Sequence, residues 1–344
     1  MLHSTLSRFQ ASMVGAIIGI HLVDQGSPLL KLDNDFSGRS TYSDQFQVGL
    51  LEEMILRVAQ GLILTRGSSV DWSQIAQWPQ RGSGKFQAPC LSEAIVAAVP
   101  AILLYHESRA ALDQNLQQLA QVWWPGQPVY PQVELFCGIS HIIAELYQSQ
   151  LVPRDLIPTL LQRDSSELFS WLHPIQDLIE AAASLDRAIV VLYSQISLDS
   201  QIRPFQAEIS TVALALYCFL YTPREPQLTV LRALRTRSIA PLAAVISCIL
   251  SSIYNGLIGL PISWRATLEK QGMPSLNQIK AGSLSRESSQ VEQIRGYSNE
   301  GVVLQLGTQL FTIWSGSYHK ALDICAFTVN YPFVTPRFVD SGSI

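Results

Sequence analysis

The sequence predicts a compact all-α domain that carries a short, strand-like C-terminal extension. Three observations support this reading. Apolar residues recur at helical spacing along nearly the whole chain to about residue 272. Pro and Gly interrupt these stretches, as in "WPGQPVYPQ" and "YTPREPQ". Only near the end does the pattern change, to short runs rich in β-branched and aromatic residues.

Taken in order, the helical stretches are "FQASMVGAIIGIHLV" (9–23), "FQVGLLEEMILRVAQGLIL" (46–64), "LSEAIVAAVPAILLYHES" (91–108) and "RAALDQNLQQLAQVW" (109–123). They continue with "VELFCGISHIIAELYQSQ" (133–150), "DLIEAAASLDRAIVVLYSQI" (177–196), "AEISTVALALYCFLY" (207–221) and a very apolar stretch at 239–256. "SLNQIKAGSLSRESSQVEQ" (275–293) is polar and Ser-rich and reads as a linker. Beyond it, "GVVLQLGTQLFTIWSG" and "LDICAFTVNYPFV" read as extended. The expected division is a helical domain at 1–272, a linker at 273–294 and an aromatic-rich extension at 295–344. No internal repeat is visible.

The stretch "RTRSIAPLAAVISCILSSIYNGLIGLP" (235–261) raises the question of a membrane, since no charged residue stands between Arg237 and Arg265. Its length and hydropathy suit a span. Its Pro241, Ser247, Ser251, Ser252 and Asn255, and the lack of aromatic belts at both ends, favour the central helix of a bundle. No membrane span is expected. The opening helix is followed by no small-residue cleavage site, so it is not read as a signal peptide.

Composition narrows the function classes. The 344 residues are 48% hydrophobic and 15% charged, with net charge −4. That is enough to bury a large core, and it supplies no basic stripe for nucleic acid. Five cysteines without a Cys-x-x-Cys read as buried thiols of a reducing, cytoplasmic compartment.

Three segments, in order, resemble the ADP-ribosylglycohydrolase family, the all-helical enzymes that remove ADP-ribose from modified side chains. The family's Gly-x-x-x-Gly-Asp helix is matched by Gly15 and Gly19, with Ile20 in the Asp position. Its Thr-Asp-Asp-Thr-Gln motif is matched by "SDQFQ" (43–47). Its Gly-Gly-Asp-x-Asp-Thr turn, small-residue helix and Ile-Pro-x-x-Trp are matched by "RSIAPLAAVISCILSSIYNGLIGLPISW", ending at Trp264. "AAVPAILLYHES" is similar to the Ala-Pro-x-x-x-x-Tyr helix behind the substrate loop. The resemblance covers about residues 7–270.

The resemblance implies a two-metal cleft, and the residues that would build it are mostly gone. Hard cations need oxygen ligands, and a pair of them needs several carboxylates. Asp44 remains, flanked by Ser43 and Gln45. The later Asp and Thr positions are Ile239, Pro241 and Leu242, and no Asp or Glu occurs from Pro226 to Leu268. The expectation is therefore no Mg or Mn site, no catalytic residues and a pseudoenzyme that binds or scaffolds. Ser43, Asp44, Gln45, Arg235 and Arg237 line the degenerate cleft as ligand-binding candidates. The two arginines form a small anion site, or one of them pairs with Asp44 and fills the emptied space. Ser238 is the expected N-cap of the apolar helix, with Pro241 tolerated in its first turn.

Other constellations are weaker. Glu134, Cys137, His141 and Glu145 share one helix face, where a metal or a Cys–His nucleophile could be built. A buried His held by a partner Glu is the simpler expectation. "RGSGKF" (81–86) lacks the first Gly of a phosphate loop and reads as a surface loop. The alternative function is a hydrolase of ADP-ribosylated or related substrates, with a rearranged site around Asp44, Glu93 and the Glu134/His141 face. The aromatics of the extension, among them Phe311, Trp314, Tyr318, Phe327 and Tyr331, pack on the bundle or dock another protein. A protein partner is expected through the extension or the old cleft.

Overall fold

The computed structural model describes residues 3–24, 48–68, 70–77, 88–126, 130–148, 153–163, 167–194, 205–236, 240–270 and 299–316. The helices are α1 (Thr5–Asp24), α2 (Val48–Leu64), α3 (Trp72–Ile75), α4 (Leu91–Ala97), α5 (Val99–Tyr105), α6 (Arg109–Trp123) and α7 (Tyr130–Gln148). They are followed by α8 (Leu156–Arg163), α9 (His173–Glu180), α10 (Leu185–Ile189), α11 (Gln206–Tyr221), α12 (Pro226–Leu234), α13 (Pro241–Gly259), α14 (Ile262–Lys270) and α15 (Asn299–Trp314). No strand occurs among the described residues.

The core is organised by the antiparallel pair α1 and α13. Contacts run Ser7 to Leu257, Gly15 to Ser252 and Gly19 to Val245, so rising numbers on one helix meet falling numbers on the other. A Cβ on Gly19 would lie 2.8 Å from the Cα of Val245, so the backbones meet where only glycine fits. Around α13 pack α1, α4, α7, α11 and α12. Both α1 and α13 are long and apolar enough to cross a membrane, and in both most of the apolar window is buried inside the fold. At Gly256 (φ 61°) α13 breaks, and Arg8 donates to the carbonyl of Ile253 just before the break.

The strand-like reading of the extension is corrected. Residues Asn299–Trp314 are a helix. Val303, Leu306 and Leu310 form its buried stripe, a helical spacing that β-branched composition had masked. Gly307 lets α15 sit on α1, because a Cβ there would lie 2.9 Å from the Cα of Gln10. Phe311 and Trp314 meet Phe9 at ring separations of 5.7 Å each. Arg265 of α14 pairs with Glu300, and Asn299 donates to the Leu268 carbonyl at 2.9 Å.

Two expected helices are divided. The stretch 91–108 is broken between α4 and α5 because Pro100 has no N–H for the Val96 carbonyl. The stretch 177–196 is broken after α9. There Ala182 turns left-handed (φ 47°), Ala183 N–H bonds back to Leu178, and the Ser184 side chain caps α10. The N-cap of α13 is Ala240, with no side-chain bond, and not Ser238. Ser238, the linker 273–294, "RGSGKF" and "LDICAFTVNYPFV" lie outside the described residues.

Candidate functional site

The antiparallel contact carries the C-terminal end of α1 to the N-terminal end of α13, and α2 packs beside α1. This junction is where the motif positions of α1 and α13 converge. It is apolar. Ile20 and Ala240 are fully buried, Leu242 is buried, and Pro241 opens the helix with no side-chain cap.

One polar pair is set into this wall. His21 Nε2 lies 3.3 Å from Glu52 Oε2, and Glu52 is only 2% exposed. The other carboxylate oxygen, Oε1, is buried without a hydrogen bond to the protein atoms described. Glu53 turns away to Arg57 on its own helix. Sequence reading missed the His21–Glu52 pair, since the two residues are thirty-one positions apart and no local motif joins them. No cluster of three or more His, Cys, Asp or Glu able to hold a metal occurs among the described residues.

Of the ligand-binding candidates, Arg235 is described, at the exposed end of α12. Ser43, Asp44, Gln45 and Arg237 lie outside the described residues. Glu93, part of the alternative hydrolase site, is buried and accepts the Cys90 backbone N–H at 2.9 Å, capping α4.

With this geometry in place, the comparison with known families is direct. The ADP-ribosylglycohydrolase profile matches residues 22–293, most of the chain. The chain belongs to the ADP-ribosylglycohydrolase family. No curated protein matches it. The matched stretch contains α2 to α14 and starts just after Ile20, so the all-helical architecture is that of the ADP-ribosylglycohydrolases. At the described junction Ile20, Ala240, Pro241 and Leu242 carry no side-chain oxygen.

A second polar group lies along α7. His141 Nε2 meets Asp113 Oδ1 of α6 at 2.6 Å, so its partner is an aspartate from another helix and not a Glu of its own. Arg109 Nε stands 4.0 Å from the other oxygen of Asp113. Glu134 is exposed, whereas Glu145 is buried. Burial, with Asp113 and Glu134 nearby, pushes the Cys137 thiol up to about 12. A thiol so raised is protonated at neutral pH and is a poor nucleophile. Cys218 and Cys248 are likewise pushed up to about 12 by burial. The four described cysteines are free.

Proposed function

We propose that this chain is a non-catalytic ADP-ribosylglycohydrolase that works by binding. The carrying observation is the apolar junction of α1 and α13, where fully buried Ile20 and Ala240 stand beside Leu242. Two divalent cations would there face a largely apolar wall, its described polar groups the His21–Glu52 pair, with a single retained motif carboxylate, Asp44. The protein is cytoplasmic and soluble, without a bound metal, and engages a protein partner by the cleft face. Arg235, exposed at the end of α12, and the motif residues Ser43, Asp44, Gln45 and Arg237 are the candidates for such contact. The aromatics Phe311 and Trp314 support a narrower role for the extension, because they pack on Phe9 of the same chain.

The test is a thermal melt with and without millimolar Mg²⁺ or Mn²⁺, beside an assay on ADP-ribosylated peptides. A ligand at about 100 times its Kd adds roughly 2.7 kcal/mol to stability, a shift of several degrees. The expected result is no shift and no release of ADP-ribose. A rise of several degrees that Asp44→Ala abolishes would refute the reading. The hydrolase alternative is supported only by the His141–Asp113 pair, and metal-independent turnover lost in His141→Ala would establish it.

A further inference from the structure

A cavity of about 110 Å³ opens between α7, α8, the turn Glu167–Leu172 and the start of α6. An engineered apolar cavity of about 150 Å³ holds a benzene molecule, so this space suits a ligand of several heavy atoms. Gly138, His141, Ile142 and Glu145 reach it from one face of α7. Gly138 has no Cβ, which would sit 2.0 Å from the Phe169 ring, so that ring lies directly on α7 one turn before His141. Leu160 and Leu172 complete an apolar wall. The cavity lies away from the α1–α13 junction. Arg8 joins Leu146 of α7 to Ile253. The helical rise from Ile253 back to Pro241 is about 18 Å. The inference therefore stands whether or not the old cleft is active.

Several polar groups of the lining are already engaged. Gln148 donates to the His106 carbonyl, His106 Nδ1 meets the Leu103 carbonyl at 2.7 Å, and Glu145 has a partner of its own within the protein. Arg109 stands at the rim, its side chain 65% exposed, with Nε 4.0 Å from Asp113. His141 Nε2 lies 2.6 Å from the other Asp113 oxygen. A carboxylate only accepts, so in the neutral imidazole the proton sits on Nε2 and Nδ1 is left as an acceptor. Asp113 thus offsets the charge of Arg109 and fixes the tautomer of His141. We propose that this cavity binds a small neutral phenol, its hydroxyl donating to His141 Nδ1 and its ring lying on Leu160, Phe169 and Leu172. The Phe169 ring beside the acceptor favours an aromatic body. An anion beside His141 would meet the Asp113 carboxylate as a like charge, and a ligand ammonium would meet Arg109 in the same way. A hydrocarbon without a donor would cover Nδ1 and leave it unpaired, which costs affinity.

The experiment is calorimetric titration of the full chain with phenol, beside anisole, which lacks the donor, benzoate, which is an anion, and benzylamine, which is a cation. The expected result is saturable binding of phenol, with the other three weaker by about fivefold or more. His141→Phe keeps a ring but no acceptor, and should bring phenol and anisole to within about twofold of each other. Should that variant fail to fold, nitrogen resonances of the His141 ring in the isotope-labelled full chain decide. Nδ1 should then shift on titration with phenol and stay in place with anisole. No saturable binding of phenol at millimolar concentration overturns the proposal. So does anisole, benzoate or benzylamine binding as tightly as phenol, a phenol preference that His141→Phe leaves unchanged, or an Nδ1 resonance that phenol does not move.

Discussion

Arg8 is held by carbonyl oxygens. Its Nε donates to Ile253 at 2.8 Å, a terminal nitrogen donates to Leu146 at 2.7 Å, and its guanidinium carbon sits 4.6 Å from the Tyr147 ring centre. Both acceptors lie near the end of a helical run, where carbonyls lack intrahelical partners. Arg8→Met keeps the aliphatic stem and removes the donors, so it should cost about 1–3 kcal/mol in urea melts. His106, packed against Tyr147 and Trp314 at ring separations of 4.5 and 5.3 Å, gives a pH signature. Burial holds its pKa below the usual 6.5, against smaller opposing effects of the Leu103 carbonyl and Glu107. The unfolded chain then takes up the proton first as pH falls, so the stability tied to neutral His106 is present above about pH 6.5 and is lost below it. Melts from pH 7.5 to 5 should slope downward, and His106→Phe should flatten part of that slope. At this scale the sequence was least informative. The partners of Arg8, His21 and His141 come from distant helices, and no spacing rule reaches across a fold.

Helices α6, α7 and α11 were legible because an apolar period of 3.6 and clean Pro or Gly boundaries specify them alone. The misses have local causes. Pro100 and Ser184 were overrun by strong periodicity on both sides. In α15, the β-branched residues Val302, Val303, Thr308, Thr312 and Ile313 suggested a strand, yet burial follows Val303, Leu306 and Leu310. Tertiary packing on α1 outweighed propensity. A consequence follows for the chain's end. Leu310 is fully buried, so Leu310→Ala should destabilise by about 2–5 kcal/mol. Removing residues from 299 onward should uncover Phe9 and lower the melting temperature sharply. A truncated chain that melts like the full one would show that α15 adds nothing to the fold.

For the molecule as a whole, the sequence revealed the family and the absence of acidic residues from Pro226 to Leu268, because both are matters of residue identity. It could not show the apolar seal at the α1–α13 junction or the polar cavity beside α7, which depend on how helices converge. Two helices pass the test of length and apolarity for a membrane span, with 67% and 72% of their windows buried. We expect the purified chain to stay in the aqueous phase without detergent and to give a helical dichroism spectrum. Partition into membranes after a carbonate wash would oppose that expectation.

The buried state of Ile20 bears on history. An aspartate placed at that position alone would enter a largely apolar wall whose described polar pair, His21 and Glu52, already contains a carboxylate. A lone buried charge costs several kcal/mol, a large share of the roughly 5–15 kcal/mol that holds a domain together. Ile20→Asp should therefore lower the melting temperature without restoring metal binding. On the non-catalytic reading proposed above, metal binding would need substitutions at Ile20, Gln45, Ile239 and Pro241 together. On that reading, closing the entrance with apolar side chains makes a loss of metal binding hard to reverse one residue at a time.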